Sequence, residues 1–286
     1  MANIFRSYKQ AKKERKEANR NLKFLRDAFI DDYLQRWLFQ NDKYKDPKKL
    51  SRFDRQVFSQ NGEDGIIEEI FKRIGTTNKY FAEFGASTDG LENNTANLLL
   101  DGWKGLWIEA ELKHVNQIRE RFQLVVENHQ LTVNNAFVDA ENIERLFKEA
   151  NVPSEFDFLS IDIDGNDYWI WKAITKYRPR VVCIEYNAIH GDTRKWVMAY
   201  NPKHVWDGSN YYGASLKSYE LLAREKGYSL VGCDFTGGNA FFVREDCVSN
   251  KFQQPFTSEN HFEPIRCFLN RQVGQTKRRF GPFETI

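Results

Sequence analysis

The stretch YSLVGCDFTGGNAFFVRED, residues 228–246, decides how the chain folds. Two apolar runs, YSLVGCDF and NAFFVRED, are separated only by TGG. A glycine-rich connection this short reverses the chain, so the two runs form an antiparallel hairpin. Upstream the texture differs. KYFAEFGAS, KGLWIEAE, LTVNNAFV, FDFLSIDID and RVVCIEYNA read as strands, and ENNTANLLLDG, LKHVNQIRERFQL, AENIERLFKEA and DYWIWKAITKY between them read as helices. SQNGEDGIIEEIFKRIG precedes the first strand, with Ile66, Ile67, Ile70, Phe71 and Ile74 on one helical face, and the helical SLKSYELLAREKG precedes the hairpin. Strand–helix alternation at this spacing predicts a parallel sheet covered on both faces. With the hairpin added, the expected fold is α/β, a seven-stranded, mostly parallel sheet whose last strand is antiparallel.

The flanks have other compositions. Residues 1 to about 40 lack proline and glycine and are rich in Lys, Arg, Ala and Leu, which predicts a long helix. Ile4, Tyr8, Ala11, Arg15, Ala18, Leu22, Leu25 and Phe29 step by fours and threes, a heptad seam with one basic defect. Such a seam suits pairing into a homo-oligomer. The segment Arg6 to Arg26 is also strongly basic, which suits peripheral contact with an acidic membrane surface, or nucleic acid. NDKYKDPKKLS reads as a linker. The expected organisation is a basic helical extension and linker over 1–50, one α/β domain over 51–250, and an irregular tail over 251–286 with three prolines.

Composition excludes several classes. Of 286 residues 41% are apolar and 29% charged, and no run approaches the roughly 20 apolar residues of a membrane span. The opening MANIFRSYKQ lacks an apolar signal core, so a cytoplasmic location is expected. Cys183, Cys233, Cys247 and Cys267 show no CxxC spacing, which speaks against a zinc site or a disulfide framework. A net charge of +2 gives no overall nucleic-acid signature, and no nucleic-acid partner is expected.

Ligands of open α/β sheets sit beyond the carboxyl ends of the strands. The first strand ends in EFGASTDG, where Gly85 permits close backbone approach and Glu83 points to the same side. This is a poor GxGxxG, better suited to a cofactor without phosphates. Glu109 ends the second strand, at the spacing of an acid that accepts both hydroxyls of a ribose. Asn134, Asn135 and Asp139 follow the third strand near where an adenine edge would lie.

SIDIDGND, Ser160–Asp167, places three aspartates in eight residues. An EF-hand needs glycine at position 6 and glutamate at position 12. Counted from Asp162, glycine falls at position 4 and Ala173 at position 12, so that reading fails. Along a strand Asp162 and Asp164 share a face, as do Glu185 and Asn187 on the next strand about 4.8 Å away. Asp164, Glu185 and Asn187 could hold Mg²⁺; without metal, Asp164 or Glu185 would be a general base, with His190 as rival. Asp167 suits the first turn of the following helix. The loop YNPKHVWDGSNYYGASL suits an acceptor pocket, with Tyr211 and Tyr212 foremost and Asn239 within reach.

Taken together, SQNGEDGIIEEIF, FAEFGASTDGLENNTANLLLDGWKGLWIEAE, FLSIDIDGNDYWIWKAI, VVCIEYNA, YYGASLKSYELLAREKGYSLVG and GGNAFFVR resemble an FkbM-type S-adenosylmethionine-dependent methyltransferase over residues 51 to about 246. The resemblance implies the class I methyltransferase (Rossmann-like) fold, S-adenosylmethionine as methyl donor, and a hydroxyl of a sugar, glycan or other small molecule as acceptor. By position it implies cofactor contacts from Glu83, Gly85, Ala86, Glu109 and Asp162, with Gln60 covering the cofactor, Ala86 and Ser87 contributing backbone only, and Asn135 near the adenine. The acidic cluster resembles the trio of metal-dependent O-methyltransferases, except that Tyr186 interrupts the acid pair found there. Two alternatives stand beside this reading: a metal-dependent glycosyltransferase using Asp162 and Asp164 as DxD, and a non-catalytic adaptor assembled through the N-terminal helix.

Overall fold

The structure is a computed structural model that describes residues 2–86, 90–269 and 283–284. The chain divides into two compact units, Met1–Pro47 and Lys48–Ile286. The first unit is dominated by helix α1, Ala2–Leu34, which continues through a π-helical turn at Gln35–Phe39. A 3-10 turn at Asp42–Tyr44 follows, where the Asn41 side chain accepts the Lys43 N–H. Every side chain from Tyr8 to Leu25 is exposed. No described helix is long and apolar enough to cross a membrane.

The second unit is built on a seven-stranded sheet: β1 Tyr80–Phe84, β2 Lys104–Glu109, β3 Leu131–Asn135, β4 Glu155–Ile161, β5 Arg178–Glu185, β6 Tyr228–Cys233 and β7 Asn239–Arg244. Their order across the sheet is β3-β2-β1-β4-β5-β7-β6. β7 runs antiparallel to both neighbours and the remaining pairings are parallel. The sheet is thus seven-stranded and mostly parallel with an antiparallel last strand, as expected, and the TGG reversal pairs that strand with β6.

Parallel strands buried on both sides need apolar residues at successive positions. β5, for example, buries every residue from Pro179 to Ile184. One face packs Ala82, Phe84, Leu106, Ile108, Leu159, Ile161 and Val182 against α6 (Ile143–Glu149), α7 (Asp167–Ala173) and α8 (Leu216–Lys226). The other packs Phe81, Trp107, Val133, Phe158 and Val181 against α2 (Glu63–Ile74), α3 (Ala96–Leu100) and α4 (Leu112–Arg121). Helix α5, Gln123–Glu127, completes the crossover into β3.

The strands end earlier than the apolar runs suggest. β4 stops at Ile161, so Asp162 and Asp164 lie in a loop and not on the strand face that alternation assigns them. The described tail is not loose. Ser258, His261 and Glu263 are fully buried, the Tyr186 hydroxyl donates to the Glu263 carbonyl at 2.6 Å, and Lys49 Nζ donates to the Asn260 carbonyl at 3.0 Å.

A buried ion pair fastens the entrance to β1 and β4. Both Asp157 oxygens accept the Thr77 N–H, Oδ2 accepts the Asn78 and Lys79 N–H, and the Arg180 guanidinium donates to Oδ1 at 2.8 Å. Burial pushes the Asp157 pKa up, but Arg180 and these N–H groups outweigh it and hold the carboxyl below its usual value. A depressed carboxylate stabilises the fold above its unfolded pKa, and that contribution is lost as pH falls through the lower folded value. Asp157→Ala strands the Arg180 charge and should cost about 3–5 kcal/mol in urea unfolding at neutral pH. The deficit should shrink below about pH 4; an undiminished difference at low pH would contradict this role.

Candidate active site

A cavity of about 560 Å³ opens at the carboxyl ends of β1, β2, β4 and β5, beside the β6–β7 turn. Its floor is set where β1 ends. Gly85 adopts φ +79°, and a Cβ there would fall 1.4 Å from the Asp162 carbonyl oxygen, so no other residue fits. The close approach expected of this glycine is thus first to the neighbouring strand's backbone, whose Asp162 N–H donates to the Phe84 carbonyl at 3.3 Å.

Glu83 is buried in the cavity wall. It accepts the Asn94 N–H at 2.9 Å, the Thr95 N–H at 3.2 Å and the Thr95 hydroxyl, which fixes the loop entering α3. Burial raises its pKa to about 7 against the lowering pull of those bonds. Glu109 ends β2, lines the cavity, accepts the Glu111 N–H at 2.8 Å and lies 3.4 Å from His114 Nδ1. Ile108, Ala110, Phe137 and Val138 also line the cavity. Asn135 is absent from this wall: its amide donates to the Glu109 and Ala110 carbonyls, tying down the end of β2. Ala86 is buried in the core on the α2 side, also off the wall, and Ser87 lies outside the described residues.

The acidic cluster assembles through a turn. Asp167, the first residue of α7, accepts the Ile163 and Gly165 N–H at 2.9 and 2.8 Å, which curls the chain after β4. Asp164 takes φ +54° in that curl. Asp162, Asp164 and Glu185 each offer a carboxylate oxygen, and the three oxygens lie within 4.8 Å of one another. Glu185 Oε2 is buried without a hydrogen-bond partner. Burial, then the mutual charges, hold Asp162 and Glu185 well above the usual carboxylate range; burial and then Asp167 raise Asp164 to about 6. The expected third member, Asn187, is placed otherwise. It is fully buried, its amide donates to the Asn210 and Tyr212 carbonyls at 2.9 and 3.1 Å, and it shapes the loop instead of facing the cavity. Asp162 takes its place in the cluster.

Two loops close the sides. Asp64 accepts the Val57, Phe58 and Ser59 N–H at 2.8 Å each, and this folds SQNG so that Gln60 and Asn61 reach the rim. Glu63, fully buried in the wall, accepts the Asn61 N–H and the Asn239 amide, each at 2.7 Å. Asn239 therefore faces the cavity with its Oδ1 unpartnered, directly across the ladder from Glu185. On the far side, the Asn166 amide donates to the Asn201 carbonyl at 2.7 Å and accepts its N–H at 3.3 Å. That clasp brings His204 against Gly165, where any Cβ would strike the ring. Trp206 and Tyr212 complete the wall, ring centroids 6.4 Å apart.

Tyr211 and His190 lie elsewhere. Tyr211 packs edge-on to Trp196 in a small buried cluster with Met198. His190 stacks on Trp196 at 4.1 Å, and burial, with Arg194 nearby, lowers its pKa to about 4. Neither lines the cavity. Glu63, His114, His204 and Trp206 do, and periodicity had no means of selecting them: each is one polar or aromatic residue in a loop or helix start, brought in by a tertiary contact. Among the described lining residues there are seven carboxylates, those of Glu63, Glu83, Glu92, Glu109, Asp162, Asp164 and Glu185, and no lysine or arginine.

The chain matches no protein-family model and no curated protein. Among solved structures it is similar to the N-terminal domain of EvdMO1 with SAH bound, at 14% identity and a TM-score of 0.40 over 65% of this chain and 80% of that one. It is also similar to an O-methyltransferase from Bacillus cereus in complex with SAH, at 20% identity and a TM-score of 0.38 over 62% and 77% of the two chains. The small RNA methyltransferase HEN1 aligns at 12% identity and a TM-score of 0.38, over 66% of this chain and 25% of that one.

Two outcomes follow from the geometry. Gly85→Ala should lower stability by about 3 kcal/mol or more, or prevent folding, because both φ and the Asp162 carbonyl oppose a side chain; wild-type urea midpoints would refute the crossing. The Asp164 carboxyl is raised when folded, so its contribution to stability is complete below the unfolded value near 4 and is lost as pH rises through about 6. Asp164 is itself exposed, so solvent screens much of this effect: in a chelator, Asp164→Asn should melt with wild type at about pH 4 and only slightly higher at about pH 7.5. Equal melting at both pH values would refute the crowding.

Proposed function

We propose that this chain is an S-adenosylmethionine-dependent O-methyltransferase whose acceptor is a hydroxyl of a sugar or glycan. The observation that carries this reading is the charge of the cavity: Glu109 at the end of β2 among seven carboxylates, with no described lysine or arginine on the wall. A donor with a sulfonium cation and a ribose diol suits such a wall, since carboxylates attract the one and accept hydrogen bonds from the other. A nucleotide diphosphate does not, which weighs against the glycosyltransferase alternative.

In this reading Gly85, Glu109 and the Phe137–Val138 side would hold the donor, Glu109 by its ribose, and the methyl carbon it supplies would be met by a hydroxyl held near Asp162, Asp164 and Glu185. The acceptor oxygen attacks it, the C–S bond breaks as the C–O bond forms, and the neutral thioether leaves. The hydroxyl proton passes to a carboxylate, for which Asp164, with its pKa near 6, is ionised and available at neutral pH. The Trp206 and Tyr212 rings offer apolar faces to a sugar, and the Asn239 side-chain Oδ1 can accept from a second hydroxyl. Holding both reactants in line supplies much of the acceleration. The donor set also fits Mg²⁺: Asp162, Asp164 and Glu185 are hard oxygen ligands, one with a buried unpartnered oxygen, and the ion would neutralise their repulsion and acidify a bound hydroxyl.

Calorimetry with S-adenosylmethionine is the deciding experiment. Wild type and Asp164→Ala should bind with similar affinity, and Glu109→Ala should bind about tenfold or more weakly, a loss of at least ~1.4 kcal/mol. Absence of binding by wild type overturns the enzyme reading. Titration with MgCl₂ alone should give a binding isotherm for wild type and none for Asp164→Asn; identical traces remove the metal. Mass spectrometry of candidate glycans after incubation should show the gain of one CH₂ per product. Exclusive labelling of non-carbohydrate hydroxyls overturns the acceptor class.

A further inference from the structure

Helix α1 carries a feature for which the methyltransferase reading has no use. Tyr8, Leu22, Leu25 and Phe29 are 67%, 63%, 63% and 56% exposed, on one stripe that runs by threes and fours through Ala11, Arg15 and Ala18, while Phe24, 72% exposed, stands off it. Lys9, Lys12, Lys13, Lys16, Arg20 and Lys23 occupy the opposite side and are exposed as well. From Arg6 to Arg26 there are nine basic residues against two acidic ones, net +7 in a chain of total +2, so the remainder carries −5.

The charge chooses the occupant. Two copies pairing along the stripe would oppose basic segments and place Arg15, which interrupts the stripe between Ala11 and Ala18, inside the seam. Both features penalise a dimer. At a lipid surface they are favourable, because the stripe enters the headgroup–acyl boundary while the long basic side chains, Arg15 included, extend to anionic headgroups. We infer that α1 docks on an anionic lipid surface, lying in its plane with Tyr8, Leu22, Leu25 and Phe29 inserted.

The full chain tests this by co-sedimentation with phosphatidylcholine vesicles and with phosphatidylcholine–phosphatidylglycerol vesicles. About tenfold more protein should pellet with the anionic vesicles at moderate salt. The excess should vanish in high salt, where the screening length falls toward ~3 Å. Lys12→Glu, Lys16→Glu and Arg20→Glu combined should abolish binding while preserving helicity by circular dichroism, since Glu and Lys have similar helix propensity. Leu25→Gln with Phe29→Gln should reduce it severalfold. Equal binding to both vesicle types, or none, overturns the inference. So does binding to anionic vesicles and duplex DNA alike that the glutamine variant leaves intact, which marks mere polyanion contact. Light scattering that shows a dimer, lost in the glutamine variant, without vesicle binding assigns the stripe to a second copy and also overturns it.

Discussion

The contact between the backbone of Gly85 and the carbonyl of Asp162 is the constraint on which the rest of the site depends. β1 and β4 are the central neighbours of the sheet, and their carboxyl ends come together with no room for a side chain. Because β1 turns away at that point with φ +79°, Asp162 stays beside the cavity, and Glu83 on the preceding turn of the pleat reaches the loop before α3. A larger residue would separate the strand ends and move Asp162 and Asp164, in the loop after β4, away from the cavity.

A single physical device then shapes the surrounding loops. Buried carboxylates gather backbone N–H groups that have no ladder partner: Asp64 takes residues 57–59, Glu83 takes 94 and 95, Asp167 takes 163 and 165, and Asp234 takes 236, 238 and 239. Each carboxylate satisfies donors that would otherwise be stranded. Burying these acids has a cost at neutral pH: burial raises Glu83 to about 7, and burial and then a neighbouring carboxylate raise Asp164 to about 6 and Asp234 to about 7. Folding energy thus maintains a cavity lined by acids held above their ordinary pKa.

Much of the sheet was legible because parallel strands buried on both faces must be apolar throughout, and the short TGG link admits only reversal. The location of Glu109, at the end of β2 and on the cavity wall, was legible too, since a strand end at that spacing has few locations. Asp162 and Asp164 were correctly associated for an incorrect reason: they converge through a left-handed turn held by Asp167, not through strand alternation. Tyr211 and Tyr212 show the limit of composition. Adjacent tyrosines in one loop point opposite ways, one into a cluster with Trp196 and the other into the cavity.

The sequence by itself determined the alternation of elements, the antiparallel last strand, the basic amphipathic helix and the acids at the strand ends, because these follow from periodicity, turn chemistry and charge along the chain. Only the tertiary structure decided which polar groups share the cavity. Glu63 reaches Asn239, Asn166 reaches Asn201, and Asn187 withdraws into the loop backbone. Those choices depend on hydrogen bonds between residues far apart in sequence, and each side chain's direction is set by a partner that local pattern does not specify.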